Sequence, residues 1–320
     1  MKVLITGGMG VIGAEATRKF VLEGHRPVVY ARRRDERLIA DILDRVEIEL
    51  GDITDAERLT EVLKKHAITH IVHAAGYVSA PSAANVPQGI YVNVMGTTNV
   101  LEAARQLGIE RVVYTSAKGV YGPFLGEDGF PTYKPISEDH PKNPARIYDC
   151  AKLMAEHTCL YYNSAFGVDV VMLRFATTFG PGKTERHGMM GVTSQIIEAP
   201  AKGLPFNLKA GGDEQDDFVY NKDSALGIYL ATVAGKLEHR VFNIGSGIGQ
   251  TLNDFAAVLR RRLPNADITI GPGLNFLGLP WPLAGIYDIS RARDELGYAP
   301  QYDLERAIGD YLDTLKHLVA

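Results

Sequence analysis

A parallel, doubly wound α/β sheet with a smaller C-terminal lobe is the fold class this sequence predicts, and three observations predict it. A glycine-rich turn joins a strand to a helix at the start of the chain. Val3-Leu4-Ile5 is an apolar run, Thr6-Gly7-Gly8-Met9-Gly10 breaks it, and from Val11 the residues Val11, Ala14, Phe20 and Val21 recur at helical spacing. Short apolar runs then alternate with helical patterns through short links, the order that βαβ units and a parallel sheet require. After about residue 175 the pattern becomes irregular. Residues 1–175 therefore read as a Rossmann-type dinucleotide-binding domain and 176–320 as a substrate-binding lobe, with chain near 217–247 returning to the first domain.

The opening turn carries the first functional expectation. Gly7, Gly10 and Gly13 can take a left-handed conformation, admit a pyrophosphate to the backbone and pack helix on strand. The first helical residues, Val11, Ile12 and Gly13, offer unpaired N–H groups at the positive end of the helix to the phosphates.

Composition limits the alternatives. The chain has 320 residues, 46% hydrophobic and 22% charged, with a net charge of −4, as an ordinary globular protein does. No basic cluster outside Arg32-Arg33-Arg34 suits nucleic acid, so no nucleic-acid partner is expected. No apolar run approaches ~18 residues and the glycine turn comes too early for a secretory signal, so no membrane contact and a cytoplasmic location are expected. Cys150 and Cys159 lie nine residues apart on one predicted helix, too far along the axis to bond each other. The nine histidines show no metal spacing, and no metal is expected.

In chain order, Val28-Val29-Tyr30 forms the second strand. An acidic residue at its end commonly binds the adenosine ribose, but here Ala31 is followed by Arg32 and Arg33. Guanidinium groups suit a 2′-phosphate, so NADP is expected, with NAD the alternative. Val46 to Leu50 is the third strand and runs into Gly51-Asp52-Ile53, where the Asp52 carboxylate can accept from an adenine amino group. Ile71-Val72-His73 is the fourth, followed by Ala74-Ala75-Gly76, small enough for a cofactor to cross the strand end. Asn93 to Leu107 is helical, and Arg111 to Ser116 is the fifth strand.

Ala117 to Ile147 holds five prolines and four glycines, a link long enough to be functional. It leads to Tyr148-Asp149-Cys150-Ala151-Lys152 at the start of a helix reaching about Phe166. Tyr148 and Lys152 share one face, and a nearby ammonium is expected to lower the phenol toward acid–base use. Val168 to Arg174 is the sixth strand, ending at Phe175. Lys183 to Gly191 reads as a polar loop, 217–220 and 241–243 as short strands, 224–234 and 252–263 as helices, and 264–282 as a proline- and glycine-rich segment.

Together, Thr6 to Gly13, Gly51-Asp52, Asn93-Val94-Met95-Gly96-Thr97, Val120-Tyr121-Gly122, Tyr148 to Lys152, Phe179-Gly180-Pro181-Gly182, Asp217 to Tyr220 and Asn243 to Gly247 resemble the extended short-chain dehydrogenase/reductase family of NAD-dependent epimerases and dehydratases. The resemblance implies Tyr148 as the acid–base, Lys152 on the nicotinamide ribose, Asn93 and Phe175 beside the cofactor, and a homodimer built on the helices at 93–107 and 148–166.

Three positions depart from it. The family's catalytic Ser or Thr corresponds to Ala117; Ser116, one earlier, is the candidate replacement, although alternation along a strand points it elsewhere. Thr177 and Asp216 stand where nucleotide-sugar enzymes often carry an Asn and a diphosphate-binding Arg. The reading that follows is hydride transfer between NADP(H) and a secondary alcohol or ketone of a polar non-nucleotide substrate, sugar-like or hydroxy-acid-like. A nucleotide-sugar epimerase or dehydratase, with Lys183, Arg186 and Lys222 as phosphate ligands, is the alternative. A non-catalytic cofactor sensor is a third.

Overall fold

The computed structural model describes residues 1–318, apart from the side chains of residues 186–189 and Leu318. Its first elements are β1 (Val3–Thr6), α1 (Val11–Leu22), β2 (Val28–Ala31), a 3-10 segment (Glu36–Arg45), β3 (Glu47–Leu50), α2 (Ala56–Lys65) and β4 (His70–His73). Next come α3 (Ser79–Ala84), α4 (Val86–Ile90), a π-turn (Tyr91–Met95), α5 (Gly96–Leu107), β5 (Arg111–Ala117), α6 (Ile147–Phe166) and β6 (Val170–Phe175). The remainder is β7 (Thr177–Phe179), α7 (Lys183–His187), α8 (Val192–Ala201), β8 (Phe206–Leu208), β9 (Asp216–Tyr220), α9 (Asn221–Val233), β10 (Val241–Ile244), β11 (Gly249–Gln250), α10 (Leu252–Arg262), β12 (Ile268–Ile270), α11 (Ser290–Leu296) and α12 (Leu304–Leu318).

Seven parallel strands form the main sheet in the order β10-β6-β5-β4-β1-β2-β3. Alternation along these strands sends Leu4, Ile71, Val112 and Val170 to one face, where α2, α5 and α6 cover them. Val3, Ile5, Val72 and Val171 go to the other, under α1 and α9. The chain winds outward from β1 in both directions, so the crevice beyond the carboxyl ends of β1 and β4 is the topological switch point. A separate core built on Phe179, Ile196, Phe218, Tyr220, Phe255 and Tyr311 holds the later elements together. β9 joins β7 and β11 in a small sheet, while β10 returns to the edge of the main one.

Three expectations change. Lys183 to Gly191 is not a loop: α7 is followed by a 3-10 turn at Gly188–Gly191, whose short span leaves too few periods to read in sequence. The helix expected from Asn93 begins as α5 only at Gly96: Asn93 itself falls in the π-turn, which follows α3 and α4, and Asn85 caps α4 by accepting from Gln88 N–H. A strand, β12, lies within the 264–282 segment and pairs with β8. Among the described residues, no helix is long and apolar enough to cross a membrane.

Candidate active site

The turn after β1 is shaped for close approach. Gly7 has φ +69°, and a Cβ there would lie 2.9 Å from the Ala75 backbone. A Cβ at Gly13 would collide with the Gly7 carbonyl oxygen. No side chain caps α1 and its first turn holds no acidic residue, so its N–H groups are left for an anion. Beside it lies a cleft of about 540 Å³. It brings together Gly7, Gly10, Val11, Ile12, Gly13, Arg32, Arg33, Ala74, Ala75, Gly76, Ser116, Tyr148, Lys152 and Phe175 from the expected set. A slot of about 180 Å³ adjoins it, lined by Tyr30, Gly51, Asp52, Ile53 and Tyr77. Asp52 Oδ1 accepts from the Thr54 N–H and hydroxyl, which fixes the carboxylate at the lip of this slot.

These cradles fit a dinucleotide: a narrow slot for a base, a side-chain-free turn for the pyrophosphate, and a wider end carrying the titratable groups. Arg34 pairs with Glu36, whereas Arg32 and Arg33 line the cleft at its exposed end. Asn93 is absent from the lining. Its side chain accepts from Tyr77 N–H at 2.7 Å and donates to Tyr77 O at 2.9 Å, holding the loop after Gly76. A Cβ at Gly76 would lie 3.1 Å from Asn93 Oδ1 and 3.7 Å from Lys152 Nζ, so this loop and α6 approach each other at the cofactor end. A depression of about 600 Å³ at the opposite end of the sheet is lined by Arg111 and Arg240, both of which pair with Asp169.

At the wide end, α6 presents Tyr148 and Lys152 one turn apart. Lys152 Nζ donates to Thr115 O at 2.7 Å and sits 4.7 Å from the Tyr114 ring and 5.8 Å from the Tyr148 ring. Burial pulls the lysine down to about 8 and pushes the Tyr148 phenol above its ordinary value, with Asp149 adding to the rise. The expected lowering of Tyr148 by Lys152 is thus corrected, because the ammonium is directed at a carbonyl and the Tyr114 face. Asp149 is paired with Arg146 at 2.6 Å and packs so closely on Gly119 that a Cβ there would strike its carboxylate.

Ser116 lines the cleft, but its hydroxyl donates to Glu156 Oε1 at 2.5 Å. Glu156 in turn receives Arg174 through Nε at 2.9 Å and Nη2 at 2.6 Å, all three side chains being buried. Strand alternation turns Ala117 the other way, where it is partly exposed.

Lys118 was not singled out from the sequence. Its buried ammonium pairs with Asp216 and donates to Thr177 Oγ1 at 2.8 Å. Thr177 donates to Asp216 Oδ2 at 2.6 Å, and Gly285 N–H reaches Oδ1 at 2.9 Å. Two of the three departures therefore belong to one ion-pair cluster beside the third. The only sequence signal was a lysine directly after the missing hydroxyl. Of the proposed phosphate ligands, Lys222 is paired with Asp310 at 2.7 Å, Lys183 is buried and donates to Thr178 O, and the Arg186 side chain lies outside the described residues.

Residues 3–245 match the family model described as the NAD dependent epimerase/dehydratase family. A UDP-glucose 4-epimerase of Mycolicibacterium smegmatis is 28% identical over 325 residues, 99% of each chain. Among solved structures, a partial consensus L-threonine 3-dehydrogenase is similar with TM-score 0.85 and 26% identity, covering 99% of this chain and 100% of that one. A UDP-glucose 4-epimerase of Thermus thermophilus in complex with NAD gives TM-score 0.83 and 25% identity over 99% of each chain.

Proposed function

Since this chain belongs to the NAD dependent epimerase/dehydratase family, whose members are nicotinamide-dependent enzymes, we propose that it is a cytoplasmic, homodimeric oxidoreductase. It moves hydride between NADP(H) and a secondary alcohol or ketone of a polar substrate that carries no nucleoside diphosphate. The observation that carries the substrate reading is the Lys118–Thr177–Asp216 cluster. It stands where the resemblance puts the Asn and Arg of nucleotide-sugar enzymes, and its ammonium is spent on Asp216 and Thr177, so it offers a diphosphate no guanidinium and no amide there.

The nicotinamide supplies the hydride acceptor or donor when bound. The chain's own residues supply the rest. The Gly7–Gly13 turn holds the pyrophosphate on backbone N–H groups, and Gly76 leaves room beside Lys152 for the nicotinamide ribose. Arg32 and Arg33 favour a 2′-phosphate, Tyr148 exchanges the hydroxyl proton, and Lys152 anchors the ribose. Ser116, committed to Glu156, acts by fixing α6 against the ends of β5 and β6.

The second reading, a nucleotide-sugar epimerase, is favoured by the UDP-glucose 4-epimerases among the relatives. One assay separates them. The protein is offered NADP⁺ or NAD⁺ with a panel of hydroxy acids and polyols, and separately UDP-glucose and dTDP-glucose. Net reduction of cofactor by a non-nucleotide alcohol is expected; conversion of a nucleotide sugar without net redox change reverses the ranking.

A further inference from the structure

Lys152 is buried, yet among the described residues its ammonium rests on a ring face and a carbonyl rather than on an acid. Nζ donates to Thr115 O at 2.7 Å and stands 4.7 Å from the centre of the Tyr114 ring, nearer than the 5.8 Å to Tyr148. Tyr114 and Thr115 are consecutive on β5, so the end of one strand supplies both contacts. The side toward Gly76 carries no side chain, and a Cβ there would lie 3.7 Å from Nζ.

The other titratable groups around the ammonium add little charge. On β4, His73 packs on the Tyr114 ring at 5.7 Å. Burial, and next the charge of Lys152, pull His73 down to about 3, so it is neutral. Its hydrogen bonds also fix the tautomer. Thr97 donates to Asn93 O and so accepts from Nε2, while Thr6 accepts from Ala75 N–H and so donates to Nδ1. Burial keeps the Tyr114 and Tyr148 phenols and the Cys159 thiol protonated. Glu156, one turn further along α6, is the carboxylate whose charge reaches Lys152. It is bound to Arg174 at 2.6 Å and to the Ser116 hydroxyl.

We propose that Tyr114 is a positioning residue for the cofactor: the face of its ring, with the Thr115 carbonyl, seats the Lys152 ammonium on the Gly76 side of the cleft. An aromatic face within about 6 Å attracts a cation, and more so where water is excluded. A carboxylate in the same place would hold the charge harder and would also repel the phosphates of the incoming dinucleotide. The ring and the carbonyl hold it without adding negative charge, and they leave N–H donors free for ribose hydroxyls.

This inference rests on the reading of Lys152 as the ribose anchor and deepens it. The test is fluorescence titration of the whole protein with NADPH from neutral to alkaline pH. Wild type is expected to lose affinity as Lys152 loses its charge near its folded value of about 8. Tyr114→Phe keeps the ring and should keep that midpoint. Tyr114→Leu removes the π face, which disfavours the charged form, so the midpoint should fall by about half a unit to one unit. Above both midpoints NADPH should then bind about three- to tenfold more weakly. Fluorinated phenylalanines in place of Tyr114, up to 3,4,5-trifluorophenylalanine, keep the shape of the ring and drain its face. They should lower the midpoint stepwise with little change in melting temperature, which a packing role alone would not do. In a Lys152→Met background the same replacements should leave NADPH affinity where that variant puts it.

A midpoint that ignores fluorination, or a fluorine effect that persists without Lys152, would overturn the role of Tyr114 and leave Lys152 as the anchor. Wild-type affinity with no alkaline step, unchanged by Lys152→Met, would overturn both.

Discussion

Tyr148 is where one phenol has to serve opposite directions of a reaction. Burial favours its neutral form, so it is a ready proton donor at neutral pH and a base only at higher pH. Ketone reduction is therefore expected to be nearly flat through neutral pH, and alcohol oxidation to rise toward alkaline pH, as pH–rate profiles in both directions will show. Tyr148→Phe should cut turnover by ~10²–10⁴-fold with cofactor affinity nearly intact. Lys152 behaves in the reverse sense. Its folded value of about 8 lies below the ordinary 10.5, so its charge is lost as pH rises through about 8. Its burial penalty is present below that pH and is relieved on the way to the unfolded value. Cofactor affinity, measured by fluorescence titration, is expected to weaken across that window, and Lys152→Ala should remove the step. Ser116→Ala leaves the Glu156 carboxylate with Arg174 but without a hydroxyl donor. The expected loss is about 1–3 kcal/mol of stability with turnover changed only a few-fold. A collapse in turnover at unchanged melting temperature would instead make Ser116 a catalytic group.

At the scale of elements, the strand-to-helix turn tolerates no added atom. Gly13→Ala drives a methyl group into the Gly7 carbonyl, and overpacking of this kind costs about 1–3 kcal/mol. Calorimetry should show cofactor binding lost well before the fold is. The end of β2 decides which dinucleotide enters. Arg32→Ala and Arg33→Ala should each weaken NADP binding by roughly tenfold, the worth of a charge-assisted contact, and leave NAD binding alone. Equal wild-type affinities for the two would remove the premise. The 3-10 segment that follows also reaches the second lobe, through Arg37 to Glu185 at 3.0 Å and Leu38 packed at Gly182. This ties the segment after β2 to the start of α7.

For the whole molecule, the exposed apolar side chains Ile90, Tyr91 and Met95 before α5, and Met154, Leu160 and Tyr161 on α6, remain uncovered. Large apolar groups grouped on one side favour association. A second copy covering both helices would bury them. Light scattering is expected to give twice the 34.9 kDa chain mass at micromolar concentration. Tyr161→Asp should shift the protein toward monomer, and a monomeric wild type would contradict the assembly. Lys152 and Tyr148 sit on α6, so such an interface would also stiffen the helix that carries the chemistry.

Local chemistry was enough to read the glycine turn, the alternation of the sheet strands, and Tyr148 with Lys152 on one helical face. Each depends on residues within a turn or two of one another, where period and side-chain size already determine the outcome. The sequence also showed that Ala117, Thr177 and Asp216 were unusual together. What it could not show is that Lys118 and Asp216, 98 positions apart, meet in one buried ion pair, because no local period encodes a long-range partner. The same holds for the direction of the Ser116 hydroxyl, taken by a glutamate 40 residues later, and for the protonation of Tyr148. Spacing put an ammonium near that phenol, but burial and the Thr115 carbonyl decided which form is favoured. Desolvation is a property of the packed interior, and it exists only once the tertiary structure has excluded water.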